Sequence, residues 1–444
     1  MRRRRGSRRR GEKRRARSSD DLTGSTTLRV DFAPGSPLID ARRTDFATEN
    51  AAAPTASSAT PLLIPLLSAA NFAIGMGAFV VVGVLEPIAR DYGIGAAAAG
   101  WAMTVYAIAY AIGSPLLVAL TGTLPRRRVL AAGLALFAVG ALASAAAPTP
   151  AWLFAARALA ALGAGVVTPI AASIALAASA PGTEGRALAR VFFGLTLAQV
   201  LGVPAGSWLG YAFGWPIAFV VVALLTFATL VGVLALVPRE LPFQVNTLAT
   251  LGAALADLPS LISVLFTASF IGAIYVLYTY LAPLLSTTMD YGGSGVSLVL
   301  LVFGVGAVLG NGLGGRLTDR FGPYRTLLFC CIAQILLMPP FSTLPWPDAA
   351  LLSLAFVWSV CGWSFMVAQQ SRLVAQTPER QSVVLALNAA AIYVGAAAGS
   401  ALGALVIEAG GLGALGVGAS LFGLFALGHL VLSERLARRR VESR

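Results

Sequence analysis

Residues 62–85 read LLIPLLSAANFAIGMGAFVVVGVL, a stretch with no charged side chain. About 20 apolar residues in a helix cross a ~30 Å hydrocarbon core, so this stretch is long enough to span a membrane. Comparable runs recur near 98–120, 128–147, 151–178, 187–210, 215–237, 259–285, 294–316, 325–343, 349–371, 381–407 and 411–433. The whole chain agrees with them. Of 444 residues, 57% are hydrophobic and only 11% charged, against about a quarter charged in soluble domains, and the mean hydropathy is +0.80. The expectation is an all-α integral membrane protein of twelve spans, with both termini on one side because the count is even.

The net charge of +13 is concentrated in a tail. Residues 1–60 carry Arg2 to Arg5, Arg8 to Arg10, Lys13 to Arg15 and Arg17, then run through Ser, Thr, Pro and Asp without hydrophobic periodicity. Such a segment is expected to be a disordered basic cytoplasmic tail. Its arginines suit anionic lipid, and nucleic acid is not expected as a partner. The rest divides into a six-helix bundle over 61–240, a cytoplasmic linker over 241–258, a second six-helix bundle over 259–434 and a basic tail over 435–444.

Sidedness follows from loop charge, since cytoplasmic loops carry the Lys and Arg excess. With both termini inside, the inner loops hold Arg126, Arg127, Arg128, Arg186, Arg239, Arg320, Arg325 and Arg380, and the outer loops only Arg90. Trp101, Trp152, Trp208, Trp215 and Trp346 then fall at outer span ends, as an interfacial belt would. A multi-pass protein of the cytoplasmic membrane is expected, working as a monomer in the lipid bilayer.

The second half repeats the first at a shift of 197 residues. Arg128 meets Arg325, Pro148 meets Pro345, Pro150 meets Pro347, Pro181 meets Pro378, Gly202 meets Gly399 and Gly206 meets Gly403. Each repeat holds six spans, so the copies are parallel and related by an axis along the membrane normal. The predicted fold is twelve transmembrane helices in two six-helix parallel repeats around a central cavity, an arrangement suited to alternating access. Enzymatic classes find no support. There is no Walker loop, HExxH, GxSxG or CxxC motif, the single His429 cannot build a zinc site, and Cys330, Cys331 and Cys361 lie in apolar stretches. No cofactor and no metal are expected.

GGRLTDRFG at Gly314 to Gly322, placed in the loop after the eighth span, contains G-x-L-x-D-R-x-G from Gly315. In the fourth span Leu153 and Arg157 precede Gly163 and Gly165, and the fifth holds Gly202, Pro204, Gly206 and Gly210. With these motifs the chain from about 62 to 433 resembles the major facilitator superfamily, and within it the drug:proton antiporters and arabinose-efflux-like exporters. The resemblance implies a secondary transporter, with efflux of a small amphiphilic substrate against inward proton flow. It also implies that Asp319, with Gly315, Arg320 and Gly322, makes a cytoplasmic contact holding one conformation. Two positions depart from the pattern: Gly122 stands where the repeat would put the counterpart of Asp319, and Val203 precedes Pro204. A sugar or metabolite importer on the same fold, and a non-transporting receptor or anchor, are the alternatives.

Arg157 is the basic residue set deepest in these predicted spans, since Arg128, Arg190, Arg316 and Arg325 fall within four residues of a span end, and a charge at mid-helix requires a polar cavity and a partner, or a reach to the interface. Glu86, at the outer end of the first span, is the carboxylate placed nearest to it if both helices line the cavity. Tyr106 and Tyr110 stand at i, i+4, Tyr275 and Tyr278 at i, i+3, and Trp358 faces the same region. Asn71, Gln199, Asn388 and Tyr393 add hydrogen-bonding groups. Aromatic walls with few polar groups suit an amphiphilic ligand, although each residue singly also suits helix packing. Gly202, Gly206 and Gly210, and Gly395, Gly399 and Gly403, form small-xxx-small ridges for close helix approach, and in a transporter these ridges are expected to be sliding surfaces.

Overall fold

The structure, a computed structural model, describes residues 61–180, 183–239, 252, 256–377 and 381–442. The 1–60 tail, most of the 241–258 linker and the end of the 435–444 tail lie outside the described residues. Twelve helices among the described residues are long and apolar enough to cross a membrane: α1 Leu63–Asp91, α2 Ala96–Leu120, α3 Arg126–Ala145, α4 Pro150–Ala177, α5 Arg186–Phe213, α6 Trp215–Leu236, α7 Leu258–Thr288, α8 Gly293–Phe321, α9 Pro323–Thr343, α10 Asp348–Gln376, α11 Val384–Gly410 and α12 Leu412–Arg438. Moved by 197, the first residues of α1 to α6 fall within two residues of those of α7 to α12. The repeat is therefore structural, six helices against six.

Several helices outrun the hydrocarbon. The 29 residues of α1 extend about 43 Å at 1.5 Å per residue, so its last turns stand among headgroups. The same holds for α8, and GGRLTDRFG is consequently not a loop. Residues up to Phe321 continue the helix, and Gly322 ends it at φ +82°, a left-handed conformation that glycine adopts without Cβ strain. Within α5, residues Ala198–Gly202 form a wide π turn. Pro204 follows one residue later; its ring brings no N–H to the ladder, and the wide turn absorbs the mismatch.

The two halves meet along α1, α2 and α5 of the first and α7, α8 and α11 of the second. Consecutive spans alternate in direction, so the start of α1 and the end of α12 share a face. On the remote face the halves are in contact. Ser400 Oγ donates to the Gly100 carbonyl at 3.1 Å, Tyr280 donates to the Ser400 carbonyl at 2.7 Å, and the Tyr280 ring occupies the space a Gly100 Cβ would need. Tyr211 packs on Gly293, and Gly83 faces both Ser207 and Leu300. At mid-depth the backbone of Gly304 rests on that of Gln199 and Val200. Toward the terminal face the same helices carry exposed apolar residues, among them Leu116 and Leu120 of α2, Phe192 and Phe193 of α5, and Leu309 and Leu313 of α8.

The tryptophan belt is partly different from its expectation. Trp101, Trp152 and Trp208 are exposed, but Trp215 is buried. Its indole donates to Asp91 at 2.9 Å and packs edge-on against Phe219, because it starts α6 facing the loop after α1 and not the lipid.

Candidate functional site

The fourth span presents Arg157 to α1 and α2, and the residue is 1% exposed. Nη1 donates to the Gly77 carbonyl at 2.6 Å, Nη2 to Ala78 at 2.9 Å and Nε to Ala102 at 3.4 Å. The helical carbonyls can accept these bonds because each keeps a second lone pair. The cation also lies 4.2 Å over the Tyr106 ring and 5.7 Å from that of Phe219. Burying a lone charge costs several kcal/mol. Three hydrogen bonds from a charged donor, each about 1.5–3 kcal/mol, together with the aromatic face, offset that cost without a carboxylate.

The pairing of Arg157 with Glu86 is therefore corrected. Glu86 Oε1 is 3.7 Å from Arg90 Nη1, one turn on along α1. Eight residues separate it from Ala78, about 12 Å along the helix axis. Its buried Oε2 faces the Tyr211 hydroxyl of α5, with which it has a hydrogen-bonding interaction. Backbone carbonyls at mid-depth hold the arginine, and the carboxylate belongs to the remote end of the helix.

Aromatic side chains carry the region from α2 across the seam. Tyr110 stacks on Tyr393 with centroids 3.5 Å apart and planes at 20°. Phe79 of α1 lies 6.5 Å from Tyr393 and 6.3 Å from Tyr275. Tyr275 contacts Tyr278, and Tyr278 stacks on Phe303 at 4.5 Å. Phe303 meets Trp358 edge-on at 5.0 Å. Trp358 itself is a core residue of the second half, with Nε1 donating to Gln334 Oε1 at 2.6 Å. Tyr106 is fully buried and its hydroxyl has no partner.

These geometries sit inside a chain that matches the sequence profile of the Major Facilitator Superfamily over residues 67–400. The chain belongs to the major facilitator superfamily. It is a membrane transporter and not an enzyme. Similar proteins include the uncharacterized MFS-type transporter YbcL of Bacillus subtilis (strain 168), 31% identical over 78% of this chain and 88% of that protein. The chloramphenicol resistance protein of Streptomyces lividans is 31% identical over 80% of this chain and 92% of its own. Among solved structures, a bacterial homolog of the human lysosomal transporter Spinster, inward-facing and occupied, has a TM-score of 0.65 at 17% identity, covering 84% of this chain and 96% of its own.

The superfamily's loop motif is arranged differently from the expectation. Asp319 and Arg320 are exposed at the end of α8 and Gly315 is half-buried, while the Arg320 guanidinium lies 5.2 Å from the Phe321 ring. The contact expected of Asp319 is not among the described ion pairs or hydrogen bonds. Gly202 and Gly206, with buried Pro204 between them, face Met76 and Val80 of α1. That ridge packs within the first half and is not a sliding surface between halves. Asn71 Nδ2 donates to the Val191 carbonyl at 3.3 Å, joining α1 to α5. Gln199 is half-buried in the π turn.

Asn388 belongs to a network that sequence reading missed. Thr267 donates to Asn388 Oδ1 at 2.5 Å and accepts from Gln369 Nε2 at 3.1 Å, tying α7, α10 and α11 together. Thr267 lies between Ser263 and Ser269 in an apolar helix and Gln369 opens the polar run Gln369 to Arg372, with no spacing to mark either one. Arg372 was missed for another reason. The tenth apolar run ends at 371, but α10 continues to Gln376, so Arg372 is inside the bundle and 3% exposed. Its Nε lies 3.2 Å from Glu434 Oε2, and Nη2 donates to Ser433 at 2.8 Å. His429 is within hydrogen-bonding distance of Ser269 Oγ, 2.7 Å, and the Ile262 carbonyl, 3.0 Å.

Proposed function

We propose that this superfamily member exports a small amphiphilic compound in exchange for protons, its halves exposing a mid-depth aromatic site to one face and then the other. The observation that carries the reading is the aromatic seam, where Tyr110 of one half lies on Tyr393 of the other just beneath the contacts joining the halves on the remote face. Loop arginines put the terminal face in the cytoplasm, so the contacts of Gly100 with Ser400 and Tyr280 close the outer face. The resistance protein of Streptomyces lividans and a probable sugar efflux transporter of Mannheimia succiniciproducens, 27% identical over 83% of this chain and 92% of its own, support the export direction.

Glu86 supports the coupling. Its buried Oε2 lies beside Tyr211, and Tyr211 packs on Gly293 of the other half. Opening the remote face draws Gly293 away and brings water from that side to the carboxylate. In proteoliposomes, Glu86→Gln is expected to abolish accumulation of chloramphenicol driven by a pH gradient while leaving substrate exchange, which needs no net proton movement, largely intact. Undiminished accumulation by this variant removes Glu86 as the carrier. One observation favours a second reading, facilitated passage of a metabolite: Glu86 pairs with Arg90 and not with the buried Arg157. Wild-type transport that ignores the pH gradient selects that reading.

A further inference from the structure

The mid-depth region has an uneven charge inventory. The carboxylates carried by the spans are Glu86, Asp91, Asp319, Asp348, Glu408 and Glu434, and each lies within five residues of a span end. Arg157 is thus a fixed positive charge at a depth without any negative one. A cation entering there meets repulsion in a medium of low effective dielectric and finds no carboxylate to pair with. Aromatic faces can recognise cations, but the Tyr106 face is already taken by the Arg157 guanidinium at 4.2 Å.

The same region holds rings poised for a flat partner. Tyr393 lies nearly parallel to Tyr110, at 20°, and to Phe79, at 9°. The Tyr110–Tyr393 stack joins the two halves, so a rocking motion that parts them strips each ring of its stacked neighbour. A planar aromatic ring restores both contacts at the usual stacking distances. Tyr106 adds a buried hydroxyl with no hydrogen-bond partner, and an unsatisfied buried donor favours a ligand that brings an acceptor.

We propose that the substrate is an uncharged molecule with a flat aromatic ring, held between Tyr110 and Tyr393 with a polar substituent on the Tyr106 hydroxyl, and that cations are excluded by Arg157. The inference rests on the exporter reading for the statement that this site is the transport site. Stack, hydroxyl and charge together set the specificity.

The test is equilibrium binding of radiolabelled chloramphenicol, a neutral nitroaromatic, to the purified full chain. Competitors are 4-nitrobenzyl alcohol, the flat cation N-methylquinolinium and the non-aromatic arabinose. The neutral nitroaromatic is expected to compete, the cation at least tenfold more weakly, and arabinose not at all. Tyr393→Leu is expected to weaken chloramphenicol binding about tenfold, and Tyr393→Phe, which keeps the ring, by no more than about twofold. Equal competition by N-methylquinolinium overturns the proposal, and this arm needs no variant. So does wild-type affinity in a well-folded Tyr393→Leu, or failure of both neutral aromatics to bind. Binding requires neither protons nor turnover. The expected binding pattern without pH-driven export therefore sinks the exporter reading alone, and pH-driven export of a cation sinks this proposal alone.

Discussion

Arg157→Ala is expected to abolish transport and to lower the melting temperature of the purified protein by many degrees. The side chain ties α4 to the Gly77 and Ala78 carbonyls of α1 and the Ala102 carbonyl of α2. Its removal forfeits three charge-assisted bonds, nominally about 5–9 kcal/mol before relaxation, and leaves a cavity under Tyr106. Arg157→Lys keeps the charge but not the planar fork, and one ammonium cannot reach three carbonyls in that geometry. Partial recovery of the melting temperature with poor transport is expected for it. Initial rates in proteoliposomes and thermal unfolding at matched reconstitution measure the two effects. Full transport by Arg157→Ala contradicts the role given to this residue.

The second large effect is expected at Gly100. Its missing Cβ lets the Tyr280 ring and the Ser400 hydroxyl of the other half close onto α2. A leucine there cannot be accommodated while the seal is shut, yet it sits on a helix already suited to leucine. Gly100→Leu should therefore fold and reach the membrane normally but hold the remote face open. Transport is expected to fall below about one hundredth of wild type, while a thiol reagent applied from the remote side reacts faster with a cysteine placed at Ser400. Normal turnover by Gly100→Leu contradicts the position of the seal.

The spans and their repeat were legible because a bilayer requires about 20 apolar residues of each crossing helix. Helix ends were not, because beyond the hydrocarbon the helix continues through residues that read as loop. The helical placement of Asp319 and Arg320 at the end of α8, and of Arg372 in α10, was hidden in this way. Arg157 stood out as a charge in an apolar run, but its partners are main-chain carbonyls, which no side chain announces, and the search for a carboxylate led to Glu86. Tyr106 and Tyr110 were legible as an i, i+4 row. Their separate contacts were not: Tyr106 lies under Arg157 of the same half, and Tyr110 meets Tyr393 across the seam, where spacing along one helix carries no information.

The central claim is that the two halves alternate, closing one face as the other opens. In a background with Cys330, Cys331 and Cys361 replaced, spin labels at Gly95 and Gly411 report the remote face and labels at Leu120 and Phe321 the terminal face. Distances between each pair, measured by double electron–electron resonance in lipid nanodiscs with and without substrate and across a range of pH, test the claim directly. Alternating halves give reciprocal change, with the remote-face distance lengthening under conditions that shorten the terminal-face distance. Two distances that stay fixed, or lengthen together, would contradict it.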